Sequence, residues 1–150
     1  MKEALKTIWR IGEILVRKKR IEWEGLEESL QEQRRTQERL GEILMRKKQI
    51  SQPLFYQALA EQYGLEFVDL KRVKINPEAV KKIPRSVALK YTLLPIEISG
   101  EGMILGIADP LRDWPAEELR NLAKVKSVRR VLCIPEDLRA SLDAEYAKIS

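Results

Sequence analysis

One stretch of this chain occurs twice, and the repeat constrains the fold more than any other feature. Residues 10–33 read RIGEILVRKKRIEWEGLEESLQEQ and residues 39–62 read RLGEILMRKKQISQPLFYQALAEQ, at a constant offset of 29 positions. Aligned without a gap, the two copies agree at 12 of 24 positions. A repeated unit is commonly one structural unit used twice, and two copies are too few for a solenoid. The sequence therefore predicts a pseudo-two-fold module, which would suit a ligand that is itself two-fold.

Each copy is predicted to be a helical hairpin. Apolar residues recur at helical spacing over residues 3–19 and again over residues 40–45, and a basic run follows each stripe. In the second copy, Ser51 stands where an N-cap precedes a proline in the first helical turn, and Gly64 is placed to end the helix. Joined by the five-residue spacer 34–38, the two hairpins give four helices.

Beyond Tyr63 the chain changes to short β-rich runs between helical segments. Three or four strands are predicted, from a short extended segment at residues 66–70 and from runs at residues 92–98, 103–108 and 128–134. Helical signals that start at or near prolines stand between them, at residues 77–83, 84–90, 115–123 and 135–148. We therefore predict an α+β fold of two parts. An N-terminal four-helix module of two tandem helix-hairpin repeats covers residues 1–65, and a small α/β subdomain covers residues 66–150.

Composition narrows the classes of function. The chain has no histidine, which removes the commonest general base and metal ligand, and its single cysteine, Cys133, excludes an intramolecular disulfide and a cysteine-rich metal site. No glycine is followed by lysine, so the sequence lacks a P-loop. An enzyme is the class that we expect least. No apolar run approaches the roughly 20 residues of a membrane span, and we expect a soluble cytoplasmic protein.

An arginine and a glutamine recur in register, as Arg10 with Gln33 and as Arg39 with Gln62. Arginine can bind a guanine edge bidentately, or a phosphate in the same fork geometry, and glutamine offers both a donor and an acceptor. A glycine two residues after each arginine would let the backbone approach a flat base or a phosphate closely. Apolar residues would give each base a face to lie on, namely Leu15, Leu26 and Leu30 in one copy and Leu44, Phe55 and Leu59 in the other.

A simpler interpretation of the same residues is open. The arginines and glutamines would be surface residues and the leucines would be core, which explains the helical stripes well. It explains poorly why a helix-weakening glycine, an arginine and a terminal glutamine all recur in register.

The basic runs 17–20 and 46–48 also allow two interpretations. They could contact phosphate or nucleic acid, or they could complement the helix dipole on a solvated face. The net charge of +5 divides weakly between the two parts of the chain, which does not favour nucleic acid. Asp109, at the end of a predicted strand, could accept a hydrogen bond from a guanine amine, but we favour a role in capping the next turn.

The double motif resembles the cyclic di-GMP-binding N-terminal domain of the MshE-type pilus and type II secretion assembly ATPases. That pattern places arginine, glycine, leucine and glutamine as in both copies here, with a spacer of the same length. The resemblance continues over residues 67–150. It implies that each copy holds one guanylate half of the dinucleotide, through Arg10, Ile11, Gly12, Leu15, Leu26, Leu30 and Gln33, and through Arg39, Leu40, Gly41, Leu44, Phe55, Leu59 and Gln62.

The chain departs from that pattern at the turn of each hairpin. Lys19 and Lys48 replace the second glycine, and we expect them to adopt the turn conformation that glycine takes at low cost. Arg20 and Gln49 stand where an apolar residue is usual, and Phe55 replaces a leucine. The lysines could add attraction for phosphate or could change the geometry of the turn.

We therefore expect a non-enzymatic protein that binds cyclic di-GMP, uses no cofactor, and passes the state of the ligand to a secretion- or pilus-type partner. By hypothesis, the ligand bridges the two repeats and the second subdomain and so biases a partner surface. One alternative is a scaffold or adaptor that keeps the fold without the ligand. The other is a basic nucleic-acid-binding protein, whose binding would fall steeply with salt.

Overall fold

Two units make up the chain in the computed structural model, Met1–Gly64 and Leu65–Ser150. The structure describes residues 11–149, and statements about it refer to that range. Helices alone form the described part of the first unit, while the second combines helices with a four-stranded sheet. The predicted α+β class is therefore confirmed. In the described range, no helix is both long enough and apolar enough to cross a membrane.

The first unit contains the two predicted hairpins. Helix α1 occupies residues 11–17 of the described range, α2 runs over Trp23–Thr36, α3 over Leu40–Arg46, and α4 over Gln52–Gln62. Ser51 caps α4 as predicted, because its hydroxyl accepts a hydrogen bond from the Leu54 N–H at 3.4 Å.

The first helix of each hairpin ends in the same turn. Lys19 and Lys48 both have a φ of 58°, in the left-handed region that favours glycine. The N–H of the following residue then reaches back to the helix, from Arg20 to the Leu15 carbonyl at 2.8 Å and from Gln49 to the Leu44 carbonyl at 2.9 Å. This is the Schellman arrangement, in which a left-handed residue lets the chain satisfy the last helical carbonyls. The expected turn conformation of both lysines is confirmed.

The second unit is built on a mixed sheet. Its elements, in order, are β1 (Glu66–Phe67), α5 (Pro77–Lys81), α6 (Arg85–Tyr91), β2 (Leu93–Ser99), β3 (Gly102–Ile107), α7 (Ala116–Ala123), β4 (Ser127–Leu132) and α8 (Pro135–Ile149). The strand order is β1-β4-β3-β2, with β4 parallel to both of its neighbours and β2 antiparallel to β3. Helix α7 makes the crossover between the parallel strands β3 and β4, as parallel pairing requires.

The first strand is shorter than the predicted run 66–70. Only Glu66 and Phe67 pair with β4, in a register opposite Val131 and Leu132. The chain then turns, because the Asp69 carboxylate accepts a hydrogen bond from the Lys71 N–H at 3.0 Å. An aspartate that bonds the backbone two residues on is a common way to leave a strand.

Aliphatic side chains fill the space between the sheet and its helices, and two reactive groups are buried with them. Tyr146 of α8 donates its hydroxyl hydrogen bond to the Ile83 carbonyl at 2.8 Å. Cys133 follows β4 and is fully buried, which raises the pKa of its thiol to about 12. Cys133 is therefore an unreactive core cysteine in the folded unit, since the thiolate is the reactive form.

We predict that Tyr146→Phe lowers the free energy of unfolding by about 1 kcal/mol, because the buried Ile83 carbonyl loses its hydrogen bond from the hydroxyl. The rate at which a thiol reagent labels Cys133 measures this loss of stability, because the buried thiol reacts only when the second unit unfolds. Labelling of the variant should be about fivefold faster. Tyr91→Phe is the control, because no hydrogen bond of its hydroxyl is found within residues 11–149. Equal rates in the two variants would contradict the prediction.

Candidate ligand-binding site

The apolar candidate residues lie in one core that the two hairpins share. Leu15 and Leu26 of the first copy and Leu44 of the second have no exposed surface, and Leu30 and Phe55 are 8% exposed. The remaining buried members from the candidate set are Ile11, Gly12, Leu40 and Gly41, and Leu59 is half-buried against the same cluster. The leucines therefore pack against one another. The core interpretation of the leucines describes this packing, and Arg39 is exposed as the surface interpretation expects.

The two repeated glycines have the same packing role. A Cβ at Gly12 would lie 2.9 Å from Leu26, and a Cβ at Gly41 would lie 2.6 Å from two ring atoms of Phe55. Phe55 is the residue equivalent to Leu26 in the second copy. In each hairpin the glycine thus brings the first helix against an apolar side chain of the second helix, with no room for a side chain of its own. In this structure that side chain occupies the space that a base was expected to fill.

The polar candidates within the described residues differ in their exposure. Arg39 is the N-cap residue of α3 and is exposed, while its carbonyl accepts the Ile43 N–H at 3.1 Å. Gln33 and Gln62, in the last turns of α2 and α4, are half-buried. Arg10 lies outside the described residues. The Arg39 side chain thus lies at the surface of the module, whereas the side-chain oxygen of Gln62 is buried.

Reciprocal ion pairs connect the two hairpins. Lys18 of the first copy pairs with Glu61 of the second at 2.7 Å, and Lys47 of the second pairs with Glu32 of the first at 2.9 Å. Each pair maps onto the other through the offset of 29 positions. Contacts of this kind, in which residue i meets residue j and j meets i, are the signature of a two-fold relation. The predicted pseudo-two-fold arrangement is therefore present in the packing of the hairpins.

Each glutamate in these pairs directly precedes a candidate glutamine, Gln33 or Gln62. The basic turn of one hairpin therefore lies near the end of the other hairpin's second helix. Gln49 of the second turn also lies against Gly25 of α2. The basic runs serve a purpose that the sequence analysis missed, which is to join the two copies. The recurrence of both lysine and glutamate at an offset of 29 was the available signal, but it did not specify which lysine meets which glutamate.

Glu32 carries the most ionic contacts in this interface. Besides Lys47, it contacts Arg46 at 3.0 Å, and Arg46 also contacts Glu38 of the spacer at 3.0 Å. Hydrogen bonds from Lys47 and Arg46 lower the pKa of Glu32 below its ordinary value. Among the described residues, the equivalent Glu61 pairs with Lys18 alone, and the side chains of both partners are nearly half exposed. The ion pairs of Glu32 and Glu61 are thus similar in arrangement, but Glu32 has more cationic partners.

Asp109 belongs to the second unit and caps a turn there. Its carboxylate accepts the Leu111 N–H at 2.9 Å, and its carbonyl accepts the Arg112 N–H at 3.3 Å. The capping role favoured from the sequence is observed, and a role in ligand binding stays a prediction.

Comparison with known proteins places the chain in a family. The MshEN domain matches residues 63–148, which is more than half of the sequence, and the chain belongs to the MshEN domain family. It is 27% identical over 139 residues to the type IV pilus assembly ATPase PilB of Myxococcus xanthus. It is 35% identical over 128 residues to the type IV pilus assembly ATPase PilB of Thermus thermophilus.

Both alignments take in most of this chain, 93% and 85%, but only 24% and 14% of those ATPases. The chain is therefore similar to one region of much longer proteins, and the resemblance inferred from the repeat is confirmed.

Two solved structures share the fold. The structure of MshE with cdg, the cyclic dinucleotide cyclic di-GMP, matches with a TM-score of 0.72 at 28% identity, and the match covers 91% of this chain and 99% of that chain. The N-terminal domain of XpsE matches with a TM-score of 0.55 at 18% identity, over 91% of this chain and 94% of that chain. The second likeness shows the fold alone.

We predict that Gly41→Ala destabilises the first unit by about 2 kcal/mol, because its methyl group would overlap the Phe55 ring. Gly12→Ala is the matched control. There the added methyl group meets the flexible end of Leu26, and the gain in helix propensity of about 1 kcal/mol offsets much of the strain. Urea unfolding measures both variants. Adding Phe55→Leu to Gly41→Ala should recover stability, and a larger loss for Gly12→Ala than for Gly41→Ala would contradict this account.

We also predict that Glu32→Gln lowers the midpoint temperature of unfolding at pH 7. Because the pKa of Glu32 is lowered by folding, its ionised form contributes stability above the ordinary value of 4.5, and this contribution is lost as the pH falls further. The difference between wild type and variant should shrink below pH 4.5. Glu61→Gln, which removes one exposed pair, should lower the midpoint less. A difference that persists unchanged in acid would refute the ion-pair explanation.

Proposed function

We propose that this domain binds cyclic di-GMP without catalysing a reaction, with each helix-hairpin repeat holding one guanylate half. The observation that carries the proposal is the reciprocal contact of the two hairpins, Lys18 with Glu61 and Lys47 with Glu32, at 2.7 and 2.9 Å. A two-fold arrangement of hydrogen-bonding groups matches a ligand whose two halves are identical. The similarity to the structure of MshE with cdg supports the same ligand.

The polar candidate residues would make the specific contacts. Arg39 is free to present its guanidinium to a guanine edge or a phosphate, and Arg10 takes the equivalent role in the first copy. Gln33 and Gln62 stand at the ends of α2 and α4, where an amide can both donate to and accept from a base.

The buried leucines would form the floor beneath these polar groups. A base that lies directly on Leu26 or Leu30 has to displace part of the present packing, because these side chains are 0% and 8% exposed. We therefore propose that dinucleotide binding moves the helices of a hairpin relative to one another. Such a rearrangement is a means by which the state of the ligand could reach a pilus- or secretion-type partner.

The same burial favours a second candidate function. A module whose apolar candidate residues are already packed can serve as a ligand-free scaffold or adaptor in a secretion-type assembly. Binding of nucleic acid is disfavoured, because Lys18, Arg46 and Lys47 are held in ion pairs with glutamates and would have to leave them to contact phosphates.

Calorimetric titration with cyclic di-GMP distinguishes these functions. The wild type should bind one dinucleotide per chain, with weaker or undetectable binding of GTP and of a random oligonucleotide. Arg10→Ala/Arg39→Ala should weaken dinucleotide binding at least tenfold, since each bidentate arginine contact contributes about 1–3 kcal/mol.

Arg85→Ala/Arg139→Ala is the matched control, because it removes the same charge from exposed positions of the second unit. It should bind as the wild type does. If both double variants weakened dinucleotide binding equally, the loss would be explained by the lower net charge of the protein and not by contacts of Arg10 and Arg39. If the wild type gave no heat of binding at high protein concentration, the proposal of dinucleotide binding would be rejected, and the function as a ligand-free scaffold would be favoured.

A further inference from the structure

The turn of the second hairpin lines an open groove of about 610 Å³ that none of the candidate dinucleotide residues lines. Lys48 contributes a cation from this turn, and Arg20 contributes another from the turn of the first hairpin. Met45, Ile50 and Leu54 supply aliphatic surface between them. The groove thus combines two positive charges with an apolar floor, and both hairpins contribute to it.

Within the part of the chain that the structure describes, no ion pair compensates the charges in this groove. Lys18, Arg46 and Lys47 of the two basic runs pair with glutamates, but neither Arg20 nor Lys48 has an ion pair within residues 11–149. The described lining of the groove also contains no acidic residue. Two cations beside apolar surface attract a negatively charged partner more strongly than they would on an open polar face.

Lys48 occupies a position that a glycine would fill at lower conformational cost. Its φ of 58° lies in the left-handed region, which a residue with a Cβ enters only with strain. The turn could form with a glycine, so its backbone conformation does not require a lysine. A cation at a strained exposed position, beside a second cation and apolar surface, supports contact with a partner.

The first hairpin has an equivalent pocket that lacks these properties. Its volume is about 240 Å³, and it contains Lys19, which has the same φ of 58° as Lys48. Glu22 lines this pocket at the position where the second copy has Ser51, and its carboxylate opposes the positive charge. The two copies therefore differ, and only the groove of the second hairpin is both roomy and uniformly positive.

We propose that this groove docks an acidic segment of a partner protein, with an apolar side chain on Leu54 and Ile50 and carboxylates facing Arg20 and Lys48. A small molecule is the poorer fit, because ligand sites enclose most of their ligand and this groove is open to solvent. Peptide segments dock in such grooves through a few anchor side chains, and charge complementarity sets their orientation. This surface is separate from the proposed dinucleotide contacts.

Fluorescence anisotropy with a labelled synthetic peptide that repeats Glu-Glu-Leu tests the proposal on the whole chain. The wild type should bind it, with affinity that falls as salt is raised, and should not bind a Lys-Lys-Leu peptide. Lys48→Gly should weaken binding about fivefold, the upper range for one exposed ion pair. Lys19→Gly is the matched control. It relieves the equivalent left-handed residue of the first hairpin and removes one positive charge, but beside the smaller pocket.

Both glycine variants should raise the midpoint temperature of unfolding by a similar amount, since each relieves a left-handed lysine. Only Lys48→Gly should lose peptide affinity. If the protein does not bind cyclic di-GMP but does bind the acidic peptide, the proposed function is rejected and the proposed docking groove is still supported. No peptide binding, equal loss in both variants, or equal binding of a DNA oligonucleotide of the same charge would overturn it.

Discussion

The close approach of two helices within each hairpin, over a glycine, is the contact on which the first unit depends. Gly12 accommodates Leu26, and Gly41 accommodates the larger ring of Phe55. Because glycine has no side chain, the backbone of the first helix can lie directly on an apolar side chain of the second. Without that approach, the two hairpins could not bury Leu15, Leu26 and Leu44 completely in one shared core. The glycines weaken the helices locally, and the packing that they permit compensates for this.

Ion pairs then fix how the two hairpins face each other. A shared apolar core does not by itself select one orientation, since hydrophobic burial is non-directional. The reciprocal pairs Lys18–Glu61 and Lys47–Glu32 do select one, because each cation meets its partner only when the turn of one copy crosses the second helix of the other. Exposed ion pairs of this kind add little to stability, but they can select one arrangement of the two hairpins.

The two copies of the repeat differ in their ion pairs and in the pockets beside their turns. Within residues 11–149, Glu32 forms ion pairs with Arg35, Arg46 and Lys47, while Glu61 forms one with Lys18. Glu22 of the first copy corresponds to Ser51 of the second, and this exchange changes a small pocket with a carboxylate into a larger positive groove. A duplicated unit can thus keep a two-fold arrangement for one ligand while one copy acquires a surface for another partner.

The sequence by itself determined the repeat, the hairpins, the α+β class and the left-handed turns at Lys19 and Lys48, because local propensity, apolar spacing and turn chemistry act over a few residues. It also located the Ser51 cap and the Asp109 turn. Only the tertiary structure decided that the leucines are buried, that the first strand stops at Phe67, and that the basic runs join the copies. These outcomes depend on which surface of one hairpin meets the other, and on strand pairing between residues far apart in the chain. The spacing of residues along a sequence does not specify either of them.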